Sequence, residues 1–225
     1  MSGIRCLVFD IDDTLYLERE YVRSGFQVVG EWARRNLGIP DFFERAWNVF
    51  ENGGRSTIFN QVLESCGVEV TGSLIQTLIN IYREHNPNIE LLDDAVKLLE
   101  KYNGRIPLAI VTDGVSRSQR AKSRALGLDK YMNPIIFTDE LGVGMGKPHP
   151  GSFRIIQEKT GVSGSSCTYI ADNPAKDFQG PKSLGWNTVR VRRQGGLHFD
   201  SCNCLDVDVE CSDLTEVAAI IGSHG

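Results

Sequence analysis

The chain has 225 residues, of which 41% are hydrophobic and 24% charged, and it carries a net charge of −5 at pH 7. These proportions are ordinary for a soluble globular protein with one large domain, or with a core domain and a smaller insertion. The negative charge argues against binding to a nucleic acid polymer, and no apolar run approaches the ~20 residues of a membrane span. Because the first residues also lack the pattern of a secretion signal, we expect a cytoplasmic protein without a membrane partner.

The six cysteines are scattered along the chain, which favours reduced thiols over disulfides in a protein of this size. Four possible ligands of a soft metal lie close together in the last part of the sequence: His198, Cys202, Cys204 and Cys211. The Cys-x-Cys spacing differs from that of the usual zinc knuckle. An irregular loop without metal is therefore the favoured interpretation, and zinc binding is left open.

A short apolar run, Ile4–Phe9, is followed by three acidic residues at positions 10, 12 and 13. The run has the length and composition of a buried β-strand. Because side chains two residues apart point the same way on an extended backbone, Asp10 and Asp12 should share a face. Two carboxylates at the end of a buried strand are costly unless a cation offsets their charge. The alternative is a solvated acidic turn that caps a helix.

Residues 16–88 have apolar side chains at three- and four-residue steps, which predicts a run of amphipathic helices. The four predicted helices run through Val22–Ala33 to Gly38, over 41–51, from Ser56 or Thr57 to Gly67, and from Thr71 or Ser73 through Tyr82. In the turn between the second and third helices, Arg55 is a candidate for contacting a substrate. The alternative for Arg55 is an ordinary solvated turn residue.

From Asp93 onward predicted strands alternate with predicted helices, which indicates βαβ units and a parallel sheet with helices on both faces. The first strand should lie centrally in this sheet because it is apolar throughout. The later strands are predicted over Pro107–Thr112, Pro134–Phe137, Thr168–Ala171, Thr188–Val191 and Val207–Val209. The helices between and after them are predicted to include Ser116–Leu126, Ser152–Thr160, Ala175–Leu184 and Leu214–Ile221. We therefore expect a Rossmann-like α/β core, 1–15 with 89–225, and an inserted all-α domain, 16–88.

Ligands of such sheets bind beyond the carboxyl ends of the strands. Polar motifs stand at these positions: Asp10–Thr14 after the first strand, Thr112–Gly114 after the second, Gly146–Pro148 between the third and fourth, and Asp172–Asp177 after the fourth. Together they resemble, in order and in residue type, the four motifs of the haloacid dehalogenase superfamily. The likeness at the level of the fold covers nearly the whole chain. The helical insertion resembles the C1-type cap of that superfamily, as found in small-molecule phosphatases of the pyrimidine nucleotidase and acylneuraminate phosphatase type.

This resemblance implies that Asp10 is a nucleophile that forms an aspartyl-phosphate. It implies that Asp12 protonates the leaving oxygen and later removes a proton from the attacking water. The phosphoryl group would be bound by residues of the second and third motifs, namely Thr112, Asp113, Gly114 and Lys147. Among these, Asp113 is favoured as a turn residue before Gly114 rather than as a ligand.

The resemblance also implies a cation, because an anionic phosphate must approach an anionic carboxylate. Mg²⁺ suits a site made of carboxylates, water and substrate oxygens. Its expected ligands are Asp10, Asp172 and the backbone carbonyl of Asp12. Asp177 would fix either Lys147 or a metal-bound water.

The expected function is thus that of a Mg²⁺-dependent phosphatase acting on a small phosphomonoester such as a nucleotide or a sugar phosphate, as a monomer or homodimer. A phosphomutase of the same superfamily would use the same residues, and a non-catalytic phosphate-binding module is a further alternative. Dehalogenases of the superfamily lack the second acid, so Asp12 counts against that branch.

Overall fold

The computed structural model describes residues 3–202 and 205–222. The described chain divides into two compact units, one within Met1–Arg19 and Ile89–Gly225 and the other made of Glu20–Asn88. Its helices are α1 (Glu18–Leu37), α2 (Phe42–Glu51), α3 (Ile58–Ser65), α4 (Gly72–Glu84), α5 (Asp93–Tyr102), α6 (Ser116–Ala125), α7 (Gly151–Thr160), α8 (Gln179–Ser183) and α9 (Leu214–Gly222). Within these described ranges, no helix has the length and apolar character required to cross a membrane.

The first unit is built on a six-stranded sheet in which every pair of neighbouring strands is parallel. The strands are β1 (Cys6–Phe9), β2 (Leu108–Thr112), β3 (Ile135–Phe137), β4 (Cys167–Ala171), β5 (Asn187–Val191) and β6 (Val209–Cys211). Their order in the sheet is β3-β2-β1-β4-β5-β6. The predicted α/β fold with a central first strand is therefore confirmed. Strand order reverses at β1, which places the carboxyl ends of β1, β2 and β4 side by side.

Helix α8 is shorter than predicted, since it covers Gln179–Ser183 and not Ala175–Leu184. The residues before it form a turn in which the Asp177 carboxylate accepts the backbone N–H of Asn173 at 2.9 Å. The Asn173 side chain in turn accepts the N–H of Ala175 at 3.0 Å. Side-chain bonds of this kind compete with helical ones, so the helix begins only after the turn.

The last strand also differs from its prediction, because it covers Val209–Cys211 and not Val207–Val209. Its register with β5 pairs Val189 with Val209 and Val191 with Cys211. Asp208, just before the strand, accepts the backbone N–H of Thr188 at 3.0 Å through its side chain. This contact and the ladder together set the start of the strand one residue after Asp208.

One face of the sheet packs on α7 and forms a closed core. Its strand residues include Val8, Val111 and Tyr169, and all are buried. The Phe153 ring of α7 lies edge-on against Tyr169 at 4.9 Å and against Trp186 at 5.5 Å between ring centroids. Aromatic pairs in this geometry add to the free energy gained by burying their surface. This cluster packs against β1, β2 and β4, the strands whose carboxyl ends carry the polar motifs.

The second unit is all-helical in its described residues and is held by a cluster of aromatic rings. Phe26 contacts Phe50, Phe59 and Tyr82 at centroid distances of 6.3, 5.8 and 5.8 Å. Gly25 lies directly against Tyr82, since a Cβ at this position would come within 2.5 Å of the ring. The close approach of α1 to α4 therefore requires glycine here.

Arg55 is engaged within its own turn in the second unit. Its Nη1 donates to the carbonyl oxygens of Phe50 at 2.9 Å and Gly54 at 2.7 Å. Its guanidinium group also lies 4.5 Å from the centroid of the Phe50 ring. These contacts favour the turn-residue interpretation of Arg55 over a substrate contact.

We expect Phe153→Ala to lower the free energy of unfolding by about 3–5 kcal/mol, because it opens a cavity among three packed rings. Urea unfolding followed by tryptophan fluorescence and circular dichroism measures this change. Val143→Ala is the matched control, since Val143 is fully exposed, and it should stay within about 0.5 kcal/mol of the wild type. A Phe153→Ala loss as small as that of the control would contradict the packing described here.

Candidate active site

The structure brings together three of the predicted aspartates at the carboxyl edge of the sheet. One carboxylate oxygen from each of Asp10, Asp172 and Asp177 lies within 4.8 Å of the others, and all three side chains are buried. Asp10 follows β1 and Asp172 follows β4, and these strands are neighbours in the sheet. The aspartate cluster, as we call these three residues, therefore arises from the strand order itself.

Lys147 lies against the aspartate cluster, and its ammonium nitrogen has three oxygen neighbours. Nζ is 3.1 Å from Asp10 Oδ2, 2.7 Å from Asp177 Oδ1 and 3.0 Å from the Tyr169 hydroxyl. Burial alone would lower the pKa of Lys147, but the charges of Asp10 and Asp177 hold that pKa well above its ordinary value. The residue is thus a buried, fully paired ammonium group.

Negative charge in the aspartate cluster exceeds what Lys147 offsets. Burial, opposed by Lys147 and reinforced by Asp177, raises the pKa of the Asp10 carboxyl to about 6. Burial and the neighbouring charges of Asp177 and Asp10 raise the pKa of Asp172 to about 10. Carboxylates that are held this close without enough positive charge have the donor chemistry of a divalent-cation site.

The buried polar atoms of this region that have no hydrogen-bond partner within the described residues include Asp10 Oδ1 and Thr112 Oγ1. Buried polar atoms without a partner are uncommon in folded proteins. Both belong to residues that the sequence motifs single out, and both follow or end adjacent strands. Both atoms are therefore available to a ligand at this edge.

Asp113 and Gly114 make contacts that fit a turn. Asp113 Oδ1 accepts the Thr138 hydroxyl at 2.6 Å and the backbone N–H of Lys147 at 3.1 Å. Gly114 has a φ of 115°, in the region that favours glycine. The carboxylate of Asp113 therefore holds the loop that carries Lys147, which fits the favoured interpretation of this residue.

The second acid, Asp12, is held by side chains that the motifs do not include. Lys122 Nζ lies 2.7 and 2.8 Å from its two carboxylate oxygens, and Gln119 Nε2 donates to Oδ2 at 2.9 Å. The Tyr16 hydroxyl donates to Oδ1. Burial would raise the pKa of Asp12, but Lys122 and these hydrogen bonds bring it below its ordinary value. Sequence reasoning missed these partners, although the nearly complete lack of apolar residues in α6 is a signal for them.

Asp13 has a structural role in the turn after β1. It has a φ of 48°, which is unusual for a residue other than glycine, and it is buried. Its Oδ1 accepts the backbone N–H of Glu18 at 2.8 Å, and its Oδ2 accepts that of Leu197 at 2.7 Å. The side chain thus ties the start of α1 and a distant loop to the first motif.

Within the part of the chain that the structure describes, His198, Cys202 and Cys211 do not form a group of three ligands around one point. The aspartate cluster does form such a group. His198 Nε2 lies 2.9 Å from Asn173 Nδ2. Cys211 is buried, whereas Cys202 is exposed. Cys204 lies outside the described residues.

Comparison with known proteins defines the class. The sequence model of the haloacid dehalogenase-like hydrolases matches residues 4–185, which include all four motifs. The chain therefore belongs to the haloacid dehalogenase-like hydrolases, as its motifs indicate.

Among its relatives, the glyceraldehyde 3-phosphate phosphatase of Methanocaldococcus jannaschii is 28% identical, with 97% of each chain covered. The (S)-2-haloacid dehalogenase 4A of Burkholderia cepacia is 29% identical over 87% of this chain and 86% of that protein. The solved structure of the HAD-hydrolase YfnB from Bacillus subtilis, bound to magnesium, has a similar fold, with a TM-score of 0.70 and 23% identity. It covers 98% of this chain and 99% of that one.

We expect Asp13→Ala to destabilise the first unit by roughly 1–3 kcal/mol for each backbone N–H that loses its acceptor. Asp13→Asn should cost less, because its single amide oxygen can still accept one of the two bonds. Urea unfolding of both variants, beside the exposed control Asp129→Ala, tests this order. Equal stability of the alanine variant and the control would remove the structural role from Asp13.

Proposed function

We propose that the chain is a Mg²⁺-dependent phosphatase that hydrolyses a small phosphomonoester by way of Asp10. The observation that carries this proposal is the state of the Asp10 carboxylate. Its Oδ2 lies 3.1 Å from Lys147 Nζ, while its buried Oδ1 has no partner among the described residues. A carboxylate with one oxygen held and the other free is prepared for attack on an electrophile such as phosphorus.

The proposed reaction has two displacements at phosphorus. In the first, which requires the protonated form of Asp12, Asp10 Oδ1 forms a bond to phosphorus, the bond to the leaving oxygen breaks, and that oxygen takes the proton from Asp12. In the second, water attacks the aspartyl-phosphate, Asp12 takes a proton from the water, and the bond between phosphorus and Asp10 breaks. Inorganic phosphate then leaves, and the side chains return to their starting state.

Lys147 and Thr112 are suited to bind the phosphoryl group during both displacements. The Lys147 ammonium group offsets charge on the equatorial oxygens, where charge spreads in the transition state. The Thr112 hydroxyl, which has no partner within the described residues, can donate to one of those oxygens. Tyr169 acts through Lys147, because its hydroxyl lies 3.0 Å from Nζ.

The residues present fit Mg²⁺. The aspartate cluster supplies hard oxygen donors within 4.8 Å of one another, with more negative charge than Lys147 offsets. We assign Asp10, Asp172 and the backbone carbonyl of Asp12 as ligands, and we give Asp177 the role of fixing Lys147, which it contacts at 2.7 Å. When bound, Mg²⁺ would supply the positive charge that lets an anionic phosphate approach an anionic nucleophile. The magnesium in YfnB supports this assignment.

The name of the archaeal glyceraldehyde 3-phosphate phosphatase supports a small phosphorylated compound as substrate. We assign discrimination among phosphomonoesters to the helical unit, Glu20–Asn88, as the cap that the family resemblance implies. The motif residues of the first unit would contact the metal and the phosphoryl group. Because all phosphomonoesters have the phosphoryl group, these contacts would not distinguish one substrate from another. A phosphomutase would use the same motifs, but it would return the phosphoryl group to a substrate hydroxyl and would release no phosphate.

We expect Asp10→Asn to lower turnover of p-nitrophenyl phosphate by at least about 10³-fold, because an amide is a poor nucleophile. Asp129→Asn, an exposed position, is the matched control and should keep the wild-type rate. Acid-quenched wild-type enzyme should also carry a labelled phosphoryl group that hydroxylamine removes, and Asp10→Asn should not. A stably folded Asp10→Asn that keeps most of the activity would refute covalent catalysis.

Chelation of divalent cations should silence the phosphatase, Mg²⁺ should restore it, and Ca²⁺ should not. Ca²⁺ takes more ligands at longer distances, and it would misplace Asp10 for in-line attack. Phosphate release at a series of Mg²⁺ concentrations measures this, with Asp172→Asn expected to need more Mg²⁺ than the wild type. Full activity in chelator, or with Ca²⁺ alone, would contradict the proposed metal site.

A further inference from the structure

We propose that Lys122 and Gln119 of α6 are positioning residues that hold the Asp12 carboxylate in place for proton transfer. The inference rests on the phosphatase function proposed above. It concerns side chains outside the four motifs, which reach Asp12 from more than 100 residues away in the sequence.

The contacts fix the direction of the carboxylate as well as its charge. Lys122 Nζ bridges both oxygens of Asp12 at 2.7 and 2.8 Å, so a rotation of the carboxylate would break at least one of these contacts. Gln119 Nε2 donates to Asp12 Oδ2 and to the backbone carbonyl of Asp113, both at 2.9 Å. The amide of Gln119 therefore sets the distance between the second acid and the turn that follows β2.

The packing of α6 shows that this arrangement is not a by-product of helix burial. Its buried side chains are all polar, namely Ser118, Gln119, Lys122 and Ser123. A helix on a parallel sheet normally buries an apolar stripe. Lys122 and Gln119 are only 3% and 4% exposed, and burying a lysine costs free energy that an apolar residue of similar size would avoid. The contacts with Asp12 explain why Lys122 and Gln119 are polar although they are buried.

Proton transfer requires that the Asp12 carboxylate be fixed in position, because misplacing a catalytic group by 1 Å can cost about 10²-fold in rate. Asp12 has to reach the leaving oxygen in the first displacement and the water in the second. An Asp12 that loses Lys122 or Gln119 would spend less time in reach of either atom. The loss should be largest for substrates whose leaving oxygen needs a proton.

A double-mutant cycle between Lys122 and Asp12 tests this inference. We expect Lys122→Met to lower kcat for β-glycerophosphate by about 10–100-fold and to lower kcat for p-nitrophenyl phosphate less, since p-nitrophenolate leaves without a proton. KM should change little for either substrate. In an Asp12→Ala background, the same Lys122→Met change should alter kcat by less than about twofold, because its target is gone. Lys122→Arg should recover part of the loss.

Two further variants keep the test decisive. Gln119→Leu should show the same dependence on leaving group and on Asp12, and it serves if Lys122→Met does not fold, as judged by thermal melting. Arg124→Met, on the exposed side of α6, is the matched control and should behave as wild type. Losses that are equal for both substrates and persist in the Asp12→Ala background would show a purely structural role and overturn the inference. An unaltered chain that hydrolyses no phosphomonoester would instead refute the proposed function, and the inference with it.

Discussion

The site depends on one ammonium group buried among acids. Lys147 Nζ contacts Asp10 after β1, Tyr169 in β4 and Asp177 in the loop after β4. The loop of Lys147 is held by Asp113, which accepts the Lys147 N–H. Burying several carboxylates at a strand edge is unfavourable unless positive charge accompanies them. Lys147 supplies part of that charge and leaves a deficit. The deficit is the physical basis for expecting a cation beside it, and it explains why nucleophile, lysine and aspartate cluster have to be considered together.

The surroundings of the aspartates give side chains of the same type different pKa values. Asp10 and Asp172 have raised pKa values because burial and neighbouring acids act on them with too little positive charge nearby. Asp12 lies close in sequence to Asp10, but it has a lysine of its own, and its pKa is lowered. The lowered pKa keeps Asp12 ionised, as a group that accepts a proton must be. In this fold the separation comes from α6, whose Lys122 is a counter-ion for Asp12, whereas Asp10 shares Lys147 with Asp177.

Much of the fold and part of the candidate site could be predicted from the local pattern of the sequence. Short apolar runs that alternate with helices predicted the parallel sheet and its central β1, because a strand buried on both faces must be apolar throughout. The start of α8 was wrong because the side-chain bonds of Asp177 and Asn173 replace helical bonds there. The contacts of Tyr169 with Lys147 and of Lys122 with Asp12 were not predicted, for another reason. The polar atoms of these side chains meet partners that lie 22 and 110 residues away, and no spacing rule within a helix or strand records such contacts.

Several acids of the motifs bind backbone N–H groups of the loops that carry the site. In the first motif Asp13 accepts two backbone N–H groups, and Asp10 Oδ1 has no hydrogen-bond partner within the described ranges. In the loop after β2 Asp113 accepts the N–H of Lys147, and the Thr112 hydroxyl has no partner among the described residues. In the loop after β4 Asp177 accepts the N–H of Asn173. A carboxylate that binds backbone N–H groups makes a short loop rigid, and rigid loops keep the reactive groups within the small tolerance that catalysis allows. Acids that never touch the substrate therefore belong to the site as much as those that do.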